Sequence, residues 1–320
     1  MFVRKVTVRV PATTANLGPG YDCMGMALGF SSSLTIERSD VFAIEIRGAG
    51  AKSLSKGQDN LVYRSALAVY KAIKRAPPVM RLRCVNAIPL NRGLGSSSAA
   101  IVSGLVAANA LEGSPLANDA LLQLATEIEG HPDNVAPALL GGLQIVVKDG
   151  DPSLVFSPLR GERRIGKGRV VSTASPVKRG LKAVVFIPDL EVATEKARAI
   201  LPPNVSRSDA VFNAGRTALL ASAFAQGKWD LLRIATQDRL HQLQRQSLMP
   251  HMAPLMKAAV AAGAHGAFLS GAGPSILALA SGDTARIEGA MAKAARKEGV
   301  SGRSRTVAVA VQGARVIEKE

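Results

Sequence analysis

The stretch "IPLNRGLGSSSAAIVSGLVAANAL", residues 88–111, sets Gly93 and Gly95, then Ser96, Ser97 and Ser98, directly against a long apolar run. Glycine lets the backbone take positive φ and approach a ligand closely, and the serines add hydroxyls where a helix begins. A helix start also offers unpaired N–H groups and the positive end of the peptide dipole. Donors, nest and dipole in one place suit an anion, most of all a di- or triphosphate. An ordinary strand-to-helix turn uses glycine and an N-cap serine too, so a purely structural reading stands beside this one. The loop is not a Walker A motif, because no Lys-Ser or Lys-Thr closes it, and no ribose-binding acid follows a GxGxxG. Metal ligands and counter-charge must come from elsewhere. The four histidines, His131, His241, His251 and His265, share no ligand spacing, which argues against a transition-metal site.

Such a loop needs a strand before it and a helix after it, and the pattern supplies both. A strand is expected around Leu82 to Ile88, and the loop's helix ends near Glu112-Gly113, with the next starting at Ser114-Pro115. Upstream, "VRKVTVRV" puts Val6, Val8 and Val10 on one face of a half-buried strand, and "PATTANLGPGYDCMGMAL" reads as turn-rich. "SSSLTIERSDVFAIEIRG" gives two strands, and a helix follows with Asp59 or Asn60 as N-cap. Residues 149–180, rich in Gly, Pro, Arg and Ser, mark the best boundary between two domains, set at 1–158 and 159–320. Beyond it come the strand "LKAVVFIP", two amphipathic helices over roughly 208–245 and a third near 253–262. A strand–glycine turn–strand "AFLSGAGPSILALA", a helix and the strand "RTVAVAVQG" complete the chain. Strands and helices mix without strict alternation, so the fold class is α+β.

Composition narrows the function. At 320 residues and 47% hydrophobic content the chain can build two packed cores. Its opening residues alternate charge and valine unlike a signal peptide, and no run spans a membrane, so a cytoplasmic protein without membrane partners is expected. Cys23 and Cys84 are expected to stay reduced. The net charge of +16 suggests nucleic acid, but the 40 basic residues are dispersed and only 8 Phe, 3 Tyr and 1 Trp could stack on bases. A basic surface that attracts anionic small molecules is the preferred reading, with no nucleic-acid partner.

"PLNRGLGSSSAA" resembles the phosphate-binding motif of the GHMP kinases, and "LSGAGPSILAL" resembles their third, glycine-rich motif. "VPATTANLGPGYDCMGMAL" and "EGHPDNVAPALLGG" are similar to the homoserine kinase branch of that superfamily. The resemblance runs from residue 10 to 280 and implies an N-terminal domain with a left-handed βαβ unit, a ferredoxin-like C-terminal domain, and an active site between them. It further implies ATP and Mg²⁺, an L-homoserine acceptor and a homodimer.

Phosphoryl transfer asks for a phosphate cradle, metal ligands and a clamp on the acceptor. The resemblance places the cradle on Pro89, Leu90, Asn91, Arg92, Gly93, Leu94, Gly95, Ser96, Ser97, Ser98 and Ala99. It puts Mg²⁺ on Ser97 and on a glutamate of the helix ending "ATEIEGHPDN", either Glu127, the first choice, or Glu129. Arg198 and Arg239 match the arginines that would fork a carboxylate, and Asp22 the acid for an ammonium. Asn16, His131 and Gly271 would also contact the acceptor. Thr194 lies four residues before Arg198, on the same helix face, and joins the catalytic group with Asn134. Some superfamily members use an Asp–Lys pair as base. Asp133 and Asn134 stand near that place, but the first motif offers no lysine partner.

Overall fold

Val6, Val8 and Val10 are fully buried and alternate with Thr7 and Arg9, as a strand with one face on a core requires. In the computed structural model, which describes residues 3–149 and 169–320, this strand β1 runs Lys5–Asn16 and pairs antiparallel with β2 (Gly20–Arg38). The segment expected as turns is therefore mostly strand, and only residues 17–19 turn. Alternation vanishes there because Ala12 to Asn16 are buried on both faces, and Pro11 sits at a register shift.

β3 (Ala43–Gly48), α1 (Leu61–Ala72) and β4 (Met80–Asn86) form a βαβ unit with parallel strands. Asn60 rather than Asp59 caps α1, accepting the Val62 N–H at 2.9 Å. The glycine–serine loop then enters α2 (Ser96–Leu111), buried on nearly every side. α3 (Asn118–Glu129) starts later than Ser114-Pro115, because Ser114, at φ 63°, turns the chain off the end of α2. α4 (Pro132–Leu140) is unannounced by the sequence pattern, since it carries Pro132 in its first turn and Pro137 inside. Gly25 of β2 admits α4 closely: a Cβ there would lie 1.7 Å from the Asp133 carbonyl oxygen. β5 (Leu143–Asp149) and β6 (Arg169–Ser175) extend this sheet beside β2.

β7 (Leu181–Pro188) precedes α5 (Thr194–Ala199), α6 (Arg207–Gln226), α7 (Leu232–Ala235), α8 (Gln242–Arg245) and α9 (Met252–Ala261). Only α6 of the two helices expected over 208–245 is long. Asp238 accepts the backbone N–H groups of Leu240, His241 and Gln242 and breaks the rest into short turns. β8 (Gly266–Leu269), β9 (Ile276–Ser281) and β10 (Gly302–Ala308) join β7 in a second, antiparallel sheet ordered β10-β7-β9-β8. α9 and α10 (Ala285–Lys297) cover it through Phe186, Leu255 and Met291. The exposed last strand, β11 (Arg315–Lys319), returns to pair with β1, so the first sheet reads β11-β1-β2-β4-β3 with β5 and β6 alongside.

The class is α+β, as expected. The 158/159 boundary and most of the basic stretch "RGERRIGKGR" lie outside the described residues. Among those described, no helix is long and apolar enough to cross a membrane.

Candidate active site

Gly95, φ 69°, precedes the first turn of α2, and no side chain caps that turn. The serines are therefore not N-caps, and the helix start keeps its anion-binding character. Two glycines are required by close approach. A Cβ on Gly95 would lie 1.9 Å from Thr13 Oγ1, and one on Gly93, φ 68°, 2.1 Å from the Ser270 carbonyl oxygen. Thr13 N–H donates to the Leu94 carbonyl at 3.1 Å and Ser270 Oγ to the Gly93 carbonyl at 2.6 Å, clasping the loop between β1 and the turn after β8. Arg92 is committed to the far end of β7: Nε and Nη2 donate to the carbonyls of Pro188 and Asp189, both at 2.6 Å. Its Nη1 pairs with Glu191 at 3.1 Å, and Asn91 donates to the same carboxylate at 3.1 Å.

Two cavities meet at Ser96 and Ser97. One, about 360 Å³, is walled largely by apolar groups such as Ile46, Leu54, Ile88, Leu90 and Ala99, with Asp59, Asn60, Asn86 and several serines among them. The other, about 350 Å³, holds Gly93 to Ser97, Glu129, His131, Asn134, Thr194, Arg198, Arg245 and Gly271. Pro89 lines neither. An apolar slot that adjoins a phosphate cradle, with a polar chamber beyond it, has the layout of a nucleotide beside a small polar acceptor.

The acidic group at the cradle is Glu129, not Glu127. Ser97 and Ser98 both donate to Glu129 Oε1, at 2.7 and 2.8 Å. Glu127 is exposed and accepts from Gln123 at 3.3 Å. The helix phase gives the reason. Glu129 follows the buried Leu122 by seven residues and the buried Ala125 by four, so it continues the inward stripe. Residues two apart point to different faces, and that signal was available in the sequence. One carboxylate and serine hydroxyls are hard oxygen donors that fit Mg²⁺ completed by phosphate and water.

Arg198 of α5 makes a two-pronged pair with Asp22, at 3.0 and 2.6 Å, and its Nη1 also donates to Tyr21 OH at 3.1 Å. Burial depresses the Arg198 proton affinity, but the Asp22 bond and charge outweigh it, and the net shift is upward. Its buried Nε has no hydrogen-bond partner among the described residues. Asn16, at φ 69°, accepts the Asp22 N–H and donates to the Gly271 carbonyl, each at 3.0 Å, so it fixes the chamber wall. Asn134 accepts from Thr13 Oγ1 at 2.7 Å, and Thr194 begins α5 beside Arg198.

Arg239 is not brought to the chamber. It is exposed, 3.5 Å from Asp209, and stacked 4.0 Å over the Phe212 ring. The arginine that faces inward from that stretch is Arg245, 1% exposed, which sequence reasoning missed. Read as one continuous helix, the segment does not say which arginine turns in. The Asp238 turn decides it.

His131 Nδ1 donates to Asp133 at 2.8 Å, and the side chain is 18% exposed. Burial pushes the imidazole down, but the Asp133 bond and charge outweigh it and raise its pKa above the ordinary 6.5. The stability this adds is fully present below the unfolded value of 6.5 and fades as pH rises through the higher folded value. His131→Gln should therefore cost more stability at acid pH, below the unfolded value, than at alkaline pH above the folded one. Urea titrations of both proteins at an acid and an alkaline pH measure the difference.

Residues 60–142 match the family model for the GHMP kinases N terminal domain, and residues 220–297 the one for GHMP kinases C terminal. The chain is 42% identical to "Homoserine kinase" of Desulfitobacterium hafniense, over 98% of this chain and 100% of that protein. It is 43% identical to "Homoserine kinase" of Synechococcus sp., over 98% of each. The crystal structure of homoserine kinase from Cytophaga hutchinsonii superposes with a TM-score of 0.84 at 30% identity, covering 98% of this chain and 97% of that one. The L. major mevalonate kinase in complex with R-mevalonate gives a TM-score of 0.65 at 16% identity over 97% and 96%, a likeness of fold alone.

Proposed function

We infer, from the homoserine kinase family of the GHMP kinases to which this chain belongs, that it transfers the γ-phosphoryl group of ATP to the side-chain hydroxyl of L-homoserine. The product is O-phospho-L-homoserine, on the route to threonine. The observation that carries the reading is Arg198, which lines the chamber of the cradle together with Arg245 and grips Asp22, itself on the adjoining cavity of about 550 Å³ that also reaches Glu129 and His131. A guanidinium and a carboxylate side by side complement a zwitterion, the guanidinium taking the α-carboxylate and Asp22 the ammonium. Neither mevalonate nor a sugar carries an ammonium to meet Asp22.

Phosphoryl transfer is mostly positioning and charge neutralisation. The α2 N-terminus and the positive-φ backbone of Gly93 and Gly95 would hold the triphosphate, with the base in the apolar slot. Arg198, Arg245 and Asp22 would hold the amino-acid end, leaving the hydroxyl toward the cradle. Mg²⁺, held by Ser97 and Glu129, would neutralise charge on the phosphates. The reading also takes the protein to be a cytoplasmic homodimer, which light scattering on the purified chain checks for its second half.

An acceptor panel tests it. With ATP and Mg²⁺, ADP release should be stimulated by L-homoserine and not by mevalonate or galactose. Turnover of either of those without turnover of homoserine overturns the assignment.

A further inference from the structure

Arg245 is held by hydrogen bonds that close a ring across three segments of chain. Nη1 donates to the Gly271 carbonyl at 3.2 Å and lies 3.0 Å from His241 Nδ1. A guanidinium has no acceptor, so Nδ1 must accept and carries no proton. The other ring nitrogen, Nε2, lies 2.8 Å from the Gly18 carbonyl oxygen, which only accepts. Nε2 therefore carries the proton and donates. Two residues before Gly18, Asn16 donates to the same Gly271 carbonyl at 3.0 Å, and the ring is closed.

The imidazole has little freedom to do otherwise. His241 is fully buried, and its backbone N–H is held by Asp238 Oδ2 at 3.0 Å. Gly18, at φ 89°, is pressed against the end of α7, where a Cβ would lie 2.2 Å from the Thr236 carbonyl oxygen, so its own carbonyl is a fixed target. The charged groups that bear on the ring are Asp238, 3.7 Å from Nε2, the Arg245 guanidinium and Asp22. Burial keeps the ring neutral against the pull of Asp238, and the Arg245 charge acts in the same direction.

We propose that His241 is a positioning residue: its neutral, Nε2-protonated imidazole holds Arg245 against the acceptor chamber and couples it to the turn that carries Asn16 and Asp22. The proposal rests on the reading of that chamber as the amino-acid site. Arg245 also donates from Nε to the Ala197 carbonyl at 3.0 Å, one residue before Arg198. Through His241 the two arginines and the Asp22 turn become one assembly, and a guanidinium displaced by about 1 Å loses its grip on a carboxylate.

Glutamine can supply one acceptor and one donor in place of the imidazole, whereas phenylalanine keeps only the ring. In the full chain, His241→Phe should raise the KM for homoserine by about ten- to a hundredfold, with the KM for ATP within about threefold of wild type. His241→Gln should recover most of that loss. A residue that merely supports the fold would move both constants together, and an unchanged homoserine KM in His241→Phe overturns the proposal. Because that variant can fail to fold, the wild-type ring is read as well. Long-range ¹H–¹⁵N spectra at neutral pH should show His241 with Nε2 protonated and Nδ1 bare. An Nδ1-protonated ring or an imidazolium overturns the proposal equally. The spectrum does not depend on the acceptor, so its failure is distinct from failure of the homoserine reading, which the acceptor panel decides.

Discussion

Glu129→Gln should lower kcat by on the order of 10²–10³, roughly 2.7–4 kcal/mol, and move half-activation to higher Mg²⁺ concentration. Glu127→Gln should leave both near wild type. The difference follows from contact. Glu129 gathers the hydroxyls of Ser97 and Ser98 onto one oxygen at the mouth of α2, whereas Glu127 stands in solvent beside Gln123. Glutamine retains the size and an acceptor oxygen at position 129, so the serines keep a partner and the helix keeps its packing. What is lost is the negative charge, and a hard dication responds to charge above all. Ser97→Ala should cost less than Glu129→Gln, because Ser98 remains to orient the carboxylate. Titrating activity against Mg²⁺ at saturating ATP and homoserine separates the variants. Equal Mg²⁺ curves for Glu129→Gln and wild type would remove the carboxylate from the metal site.

How far the sequence carried is best judged by particular residues. The cradle was legible because its chemistry is local: positive φ at Gly93 and Gly95 and hydroxyls at three successive positions need no tertiary knowledge. β1 was legible as far as Val10, where one face meets a core, and lost its signature from Ala12 to Asn16, where both faces are buried. β11 showed no alternation, since its two apolar residues, Val316 and Ile317, are adjacent and every residue of it is exposed; its place is fixed by the ladder to β1 and by Lys5 with Glu318 and Glu320. α4 was hidden by its own prolines. Within the site, the two positions at which geometry favours a neighbour over the expected residue share a cause. Glu127 against Glu129, and Arg239 against Arg245, are questions of helix phase rather than of residue type. The first was answerable from the buried stripe of α3. The second was not, because the Asp238 turn that reorients the segment is made by a side chain holding three backbone N–H groups, which an apolar periodicity does not reveal.

Arg198→Lys and Arg245→Lys should each raise the KM for homoserine by about an order of magnitude or more, near 1.4 kcal/mol, with little change in the KM for ATP. Lysine restores the charge and not the planar fork, so the loss measures geometry. For Arg198 the fork is already in use: it grips both oxygens of Asp22, and on the proposed reading an incoming amino acid would meet guanidinium and carboxylate held in register. A lysine there keeps Asp22 neutralised but releases its orientation, so ammonium and carboxylate recognition weaken together. For Arg245 the loss is of a different kind. Its side chain is almost fully buried among the carbonyls of Ala197 and Gly271, and a lysine cannot serve both and His241 at once. Arg239→Lys is the control, exposed at the surface against Phe212 and Asp209, and should be silent in every constant. If Arg198 and Arg245 act on one carboxylate, the double variant must fall short of the sum of the singles, since the second change acts on a contact already weakened. Strict additivity would mean that the two arginines hold different groups. An unchanged homoserine KM in both single variants would sink the clamp and, with it, the physical basis for an amino-acid acceptor in this chamber.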